Sequence, residues 1–127
     1  MARSSANSSK MLSVEAIVAA CCKALKLPRS GVELSVNIVS PQKMRSLNKT
    51  YRGKDKPTDV LSFPIRVKHD ILYLGDIFIN RTDAKKNLPF LVVHGFLHLM
   101  DYDHERSERE EKIMFTLQDE ILSHLRN

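Results

Sequence analysis

The chain is poor in the residues that staple, span or export a protein. Cysteine occurs twice in 127 residues, as the neighbours Cys21 and Cys22, and adjacent cysteines cannot close an unstrained disulfide. A disulfide scaffold is thereby excluded. With no C-x-x-C spacing, the pair reads as small apolar side chains on a helix in a reducing compartment. Long apolar runs are missing too: the longest, Leu88 to Met100, is interrupted by two histidines and is too short to cross a bilayer. The first residues carry no apolar segment of the secretory kind and no acid before Glu15. We expect a cytoplasmic protein with no membrane partner, built as a single domain over 1–127, with residues 1–12 a flexible tail.

What is present is ordinary globular composition, 43% hydrophobic and 28% charged, enough to bury one core. Twenty Lys and Arg stand against fifteen Asp and Glu, a net charge of +5. The excess is uneven, since residues 1–60 hold eleven basic and four acidic side chains while residues 61–127 hold nine and eleven. A basic half of that kind favours a polyanionic partner.

Periodicity places the elements. Val14, Ile17, Val18, Cys21 and Leu25 recur at helical spacing between an N-cap at Ser13 and a stop at Pro28. Leu34, Val36 and Ile38 alternate with polar residues as in a half-buried strand. Ser40 and Pro41 open a short helix lined by Met44, Leu47 and Tyr51, which gives way to a charged loop from Arg52 to Pro57. Strands follow over Val60–Ile65 and Ile71–Ile79; Pro64 puts the first at an edge or near its own end, and Gly75 marks a bulge or close approach in the second. After a polar stretch, Arg81 to Asn87, the residues from Phe90 to Met100 are apolar all round a helix, the pattern of a buried central element. The last helix begins at Ser107 with a capping box to Glu110, and its expected core stripe is Ile113, Leu117 and Ile121, flanked by Met114 and Leu125. This order predicts an α+β fold, a small mixed sheet packed with helices, whose central buried helix carries an H-x-x-x-H motif as in a metalloprotease.

That motif holds the chemistry. His94 and His98 lie four apart, so both imidazoles share one helix face, and His104 follows after a loop short enough to fold a third ring over them. Three imidazoles supply a tetrahedral ion with three ligands and leave the fourth position open, the form of a catalytic zinc site with one ion per chain. Histidines that merely sit in a core would leave several ring nitrogens wanting partners in a dry place. A structural ion would need a fourth ligand, for which Asp101 and Asp103 are the candidates. His69 and His124 read as surface residues.

The spacing is that of zinc peptidases with H-E-x-x-H-x-x-G-x-x-H. Here Gly95 replaces their glutamate and Asp101 their glycine. Losing the glutamate removes the general base and disfavours peptide hydrolysis. Gly95 would also let the helix approach a strand or substrate closely.

Residues 94–104, His-Gly-Phe-Leu-His-Leu-Met-Asp-Tyr-Asp-His, resemble the signature H-G-x-L-H-L-x-G-Y-D-H of the YbeY family of rRNA maturation factors at every fixed place but the glycine. Residues 47–64, from Leu47 to Pro64, are similar to its L-N-x-x-Y-R-x-x-D-x-P-T-D-V-L-S-F-P segment, and Leu74 to Ile77 to its G-D-I strand. Asp101 at the glycine position calls for a left-handed backbone at the end of the helix, which Asp tolerates better than most residues. The segment between the G-D-I strand and the histidine helix is shorter than in the family, so a helix there is expected to be reduced to a turn.

The resemblance implies a zinc-dependent endoribonuclease that matures the 3′ end of small-subunit rRNA and serves ribosome quality control. It carries His94, His98 and His104 over as zinc ligands and Arg52 as the catalytic basic residue facing the metal. A guanidinium there would grip a phosphodiester through two hydrogen bonds. Lys54 and Lys56 are candidates for RNA phosphate contacts, Asp55 and Asp59 for bracing their loop, and Asp76 for orienting a ligand histidine. The expected partners are rRNA and the small ribosomal subunit, with ribosomal proteins or assembly factors beside them. The proton acceptor stays unassigned, and the nucleophile stays open between a zinc-bound hydroxide and the ribose 2′-hydroxyl. Two other classes also stay open: a non-catalytic ribosome-assembly factor with a zinc-stabilised fold, and a zinc hydrolase of another substrate.

Overall fold

The computed structural model describes residues 13–125; the expected tail over 1–12 lies outside them. Within them run α1 (Val14–Ala24), a 3₁₀ turn (Arg29–Gly31), β1 (Val32–Val39), α2 (Pro41–Arg52), β2 (Val60–Lys68), β3 (Leu72–Asn80), α3 (Arg81–Leu99) and α4 (Glu108–Leu125). The α+β class follows as expected. The strands form one mixed sheet in the order β1-β3-β2, with β1 parallel and β2 antiparallel to the central β3.

Local signals fix most boundaries. Ser13 Oγ accepts from the Ala16 amide and Ser40 Oγ from the Lys43 amide, each 3.1 Å away, so both helices start on capping hydroxyls. Helix α1 ends at Ala24, ahead of Pro28, once Lys26 takes a left-handed φ of 58°. Helix α2 stops at Gly53, whose φ of 71° continues the chain in the left-handed region open to glycine. Strand β2 does lie on the edge, and its pairing with β3 slips between Pro64 and Val67, where the missing N–H of proline breaks the ladder.

The core lies between the sheet and α3, backed by α1 and α4. Leu91, Val92, Val93, Phe96, Leu97 and Leu99 are all buried, as a helix apolar on every side requires. Two glycines let α3 sit close to the sheet. A Cβ on Gly95 would come within 2.9 Å of Ile77 Cγ2, and one on Gly75, at φ +147°, would collide with the Phe63 carbonyl oxygen and come within 3.0 Å of Leu99 Cδ2. On the opposite face of the sheet, Phe78, Phe63 and Tyr51 of α2 meet edge to face in a row.

Five expectations are corrected. Residues 81–86 are helical rather than a turn, because Asn80 Oδ1 caps the Thr82 amide at 3.1 Å; the break falls at Asn87 (φ −155°), which lets Pro89 occupy the first turn of the histidine helix. The buried stripe of α4 is Met114, Gln118 and Ile121, while Ile113 is 46% exposed. Only half of the capping box forms, since Ser107 Oγ caps the Glu110 amide but the Glu110 carboxylate turns to Arg106, 3.0 Å away. On α2, Met44 and Asn48 face inward and Tyr51 stands out 65% exposed; on β1, Ile38 is exposed.

Candidate active site

The buried helix α3 presents His94 and His98 one turn apart, and their Nε2 atoms lie 3.1 Å from each other. Two nitrogens bound to one tetrahedral ion at about 2.0–2.1 Å would lie roughly 3.3 Å apart, so the rings already stand at chelating separation. His104 closes the group, with one ligand atom from each ring within 4.8 Å of the others. It is brought there by a tight turn after α3: Met100 ends the helix, Asp101 takes a left-handed φ of 73°, and the Tyr102 amide donates back to the Leu97 carbonyl at 3.0 Å. Asp in the glycine position therefore adopts the conformation that glycine would.

The donor set fits a metal ion. His104 Nδ1 is buried without a hydrogen-bond partner, the one such side-chain atom among the described residues, and a bare buried nitrogen is costly unless a ligand takes up the ring. Burial first, and neighbouring imidazoles next, push His98 down to about 4. Burial likewise lowers His94, against the pull of its hydrogen bond to Gln118. Both rings are thus held neutral, with lone pairs available. Neither Asp101 nor Asp103 brings an oxygen into the group; both face Arg106, at 2.6 and 3.5 Å. Three imidazoles and an open fourth position remain.

Gln118 is the residue that sequence reasoning missed. Its Oε1 accepts from His94 Nδ1 at 3.0 Å, which fixes the tautomer and turns the Nε2 lone pair toward the other imidazoles. Its signal was a polar side chain in helical register with Met114 and Ile121. Asp76, expected to do this work, lies elsewhere: its carboxylate accepts from Ser35 Oγ at 2.6 Å and from the Tyr73 hydroxyl.

The histidines floor a cleft of about 530 Å³. One wall is Arg52 with Asp59, Val60, Ser62 and Pro64; the other is the 101–106 turn with Phe115 of α4. Lys54 and Lys56 do not line it. They border an adjoining hollow of about 310 Å³ that shares Arg52 and Val60 with the cleft. The second half of the connecting loop is fastened by two buried asparagines. Asn48 Nδ2 donates to the Lys56 carbonyl (2.8 Å), and Asn80 donates from Nδ2 to the Thr58 carbonyl (3.2 Å) and from its amide to that of Asp59 (2.8 Å). Asp55 pairs with Arg45 at 2.7 Å, and Asp59 Oδ1 caps the Val60 amide at 2.7 Å, so both acids do brace the loop. His69 and His124 are exposed and outside the cleft.

The family model described as Endoribonuclease YbeY matches residues 3–126. The chain belongs to the YbeY family. Proteins named Endoribonuclease YbeY from Persephonella marina and Sulfurihydrogenibium sp. are 46% and 42% identical to it, over 76% and 79% of this chain and 72% and 74% of theirs. The Geobacillus thermodenitrificans YbeY is 45% identical over 73% of this chain and 72% of its own. A solution structure of a Thermotoga maritima protein shares the fold, with a TM-score of 0.53 and 26% identity over 95% of this chain and 82% of that one. No helix among the described residues is long and apolar enough to cross a membrane.

Proposed function

We propose that this YbeY-family chain is a zinc-dependent endoribonuclease acting in the cytoplasm on the 3′ end of small-subunit rRNA. The observation that carries this reading is the single cleft whose floor is the three-histidine group and whose wall is Arg52. Zinc suits a set of three neutral imidazoles, and when bound it supplies a Lewis acid beside the reacting phosphate. His94, His98 and His104 hold it, and Gln118 holds His94. Arg52 binds the non-bridging phosphate oxygens through its paired N–H groups and stabilises the charge that grows on them. Lys54 and Lys56 take the flanking phosphates along the adjoining hollow. Gly95 stands where a peptidase has its general base, so the cleft is ill equipped for amide hydrolysis. The small ribosomal subunit, with its proteins or assembly factors, presents the RNA.

The test is incubation with a precursor RNA bearing the small-subunit rRNA 3′ end, with Arg52→Ala and His98→Ala proteins prepared in parallel. Cleavage by the parent that both variants lose supports the assignment, and mass analysis of the product ends separates water attack from 2′-hydroxyl attack. Equal cutting by all three preparations, or none by a parent holding one zinc per chain, favours an assembly factor whose zinc only holds the fold.

A further inference from the structure

Two phenyl rings border the histidines, and they are not equivalent. Phe90 lies on α3 itself, half-buried and nearly parallel to His94, with centroids 5.7 Å apart and planes 14° apart. Phe115 lies against His104, with centroids 5.6 Å apart and planes 29° apart, yet stays 37% exposed in the cleft lining. It is outside the buried stripe of α4, and its neighbour Thr116 and the nearby Glu111 and Lys112 are exposed to solvent. A phenyl ring left wet on such a surface loses hydrophobic stabilisation that burial would provide.

Its position gives it a use. Helix α3 touches β2 on one side and α4 on the other, so Arg52 beside β2 and Phe115 on α4 flank the histidine group from opposite walls. One wall offers a guanidinium with a basic hollow behind it; the other offers an aromatic face backed by an imidazole. We propose that Phe115 is a stacking platform for an unpaired nucleobase next to the phosphate held by Arg52. This rests on the endoribonuclease reading and extends it to the recognition of the substrate. A base inside a duplex has both faces covered by its neighbours, whereas one splayed from a single strand offers a free face to an aromatic ring. Stacking of this kind is indifferent to which base is offered, which suits a small cleft with few groups for reading base edges.

The chain contains no tryptophan, so Phe115→Trp installs a sole fluorophore at the platform. We expect its emission to be quenched saturably by a short 2′-O-methyl oligoribonucleotide, with the midpoint seen by anisotropy of a dye on the same oligonucleotide. A ribose-phosphate oligomer without bases should leave it unquenched. In cleavage assays Phe115→Leu should raise KM about 5- to 150-fold. Its bound zinc should stay at one per chain, and Phe115→Tyr should recover the parent KM. A tryptophan unquenched at saturating oligonucleotide, or a Phe115→Leu KM equal to the parent's, overturns the platform while RNA binding stands. No anisotropy change in the parent protein overturns the endoribonuclease reading along with it.

Discussion

At the scale of single residues the site depends on a contact made from a distant part of the chain. Gln118 is 3% exposed and holds His94 in the tautomer that an ion needs. Replacing it with Leu keeps the volume and removes the acceptor, so zinc affinity should fall about 10- to 100-fold with the fold intact. Competition with a chromogenic chelator measures this, and an unchanged affinity would show that the hydrogen bond does not tune the ligand. The lysines act in another way. If Lys54 and Lys56 each neutralise one phosphate of a single strand, the double alanine variant should lower the slope of log K against log salt by about 1.4. Parallel salt titrations of parent and variant decide it, and coincident slopes would remove both lysines from the RNA path.

At the scale of elements, the close seating of α3 on the sheet gives two glycines unequal importance. Gly95→Ala meets the fully buried Ile77 side chain, so roughly 1–3 kcal/mol of overpacking is set against a gain of about 0.5–1 kcal/mol in helix propensity. Gly75→Ala meets a backbone carbonyl at a φ that side chains rarely adopt, and should cost about 3 kcal/mol or more. Denaturant midpoints should rank parent, Gly95→Ala and Gly75→Ala in falling order; a reversed order would mean that the sheet yields more easily than the helix. This scale also shows what the sequence could reveal. His94, His98 and His104 were legible because a helix turn and a short loop bring them together whatever the rest of the fold does. Helix α4 was read one residue out of phase, since Ile113 and Leu117 share the same periodicity as Met114 and Gln118. Only the docking of α4 on α1 and α3 decides which stripe turns inward. The short helix over 81–86 was lost for a related reason: its one clear signal, the cap at Asn80, sits at the end of a strand.

For the whole molecule, an ion held by His94, His98 and His104 would tie α3 to the turn that follows it, and through Gln118 to α4. Metal binding and folding are then linked. At zinc 100-fold above its Kd the stabilisation is about 2.7 kcal/mol, which for a chain of this size corresponds to roughly 8–15 °C in Tm. Melting with and without a chelator, with the metal content assayed, should show that difference. Identical melting curves after complete removal would mean that the histidine group forms without help from an ion.

The asparagine fastenings of the 53–59 loop bear on how the RNA is received. Asn48, Asn80 and the Arg45–Asp55 pair hold that segment before any ligand arrives. Fixing a backbone residue costs about 1–2 kcal/mol in entropy, and here that cost falls at folding, so docking does not incur it again. The wall bearing Arg52 is fastened through its loop's own carbonyls in advance, and the rate of amide deuteration in that loop should be the same with the cleft empty as with it filled.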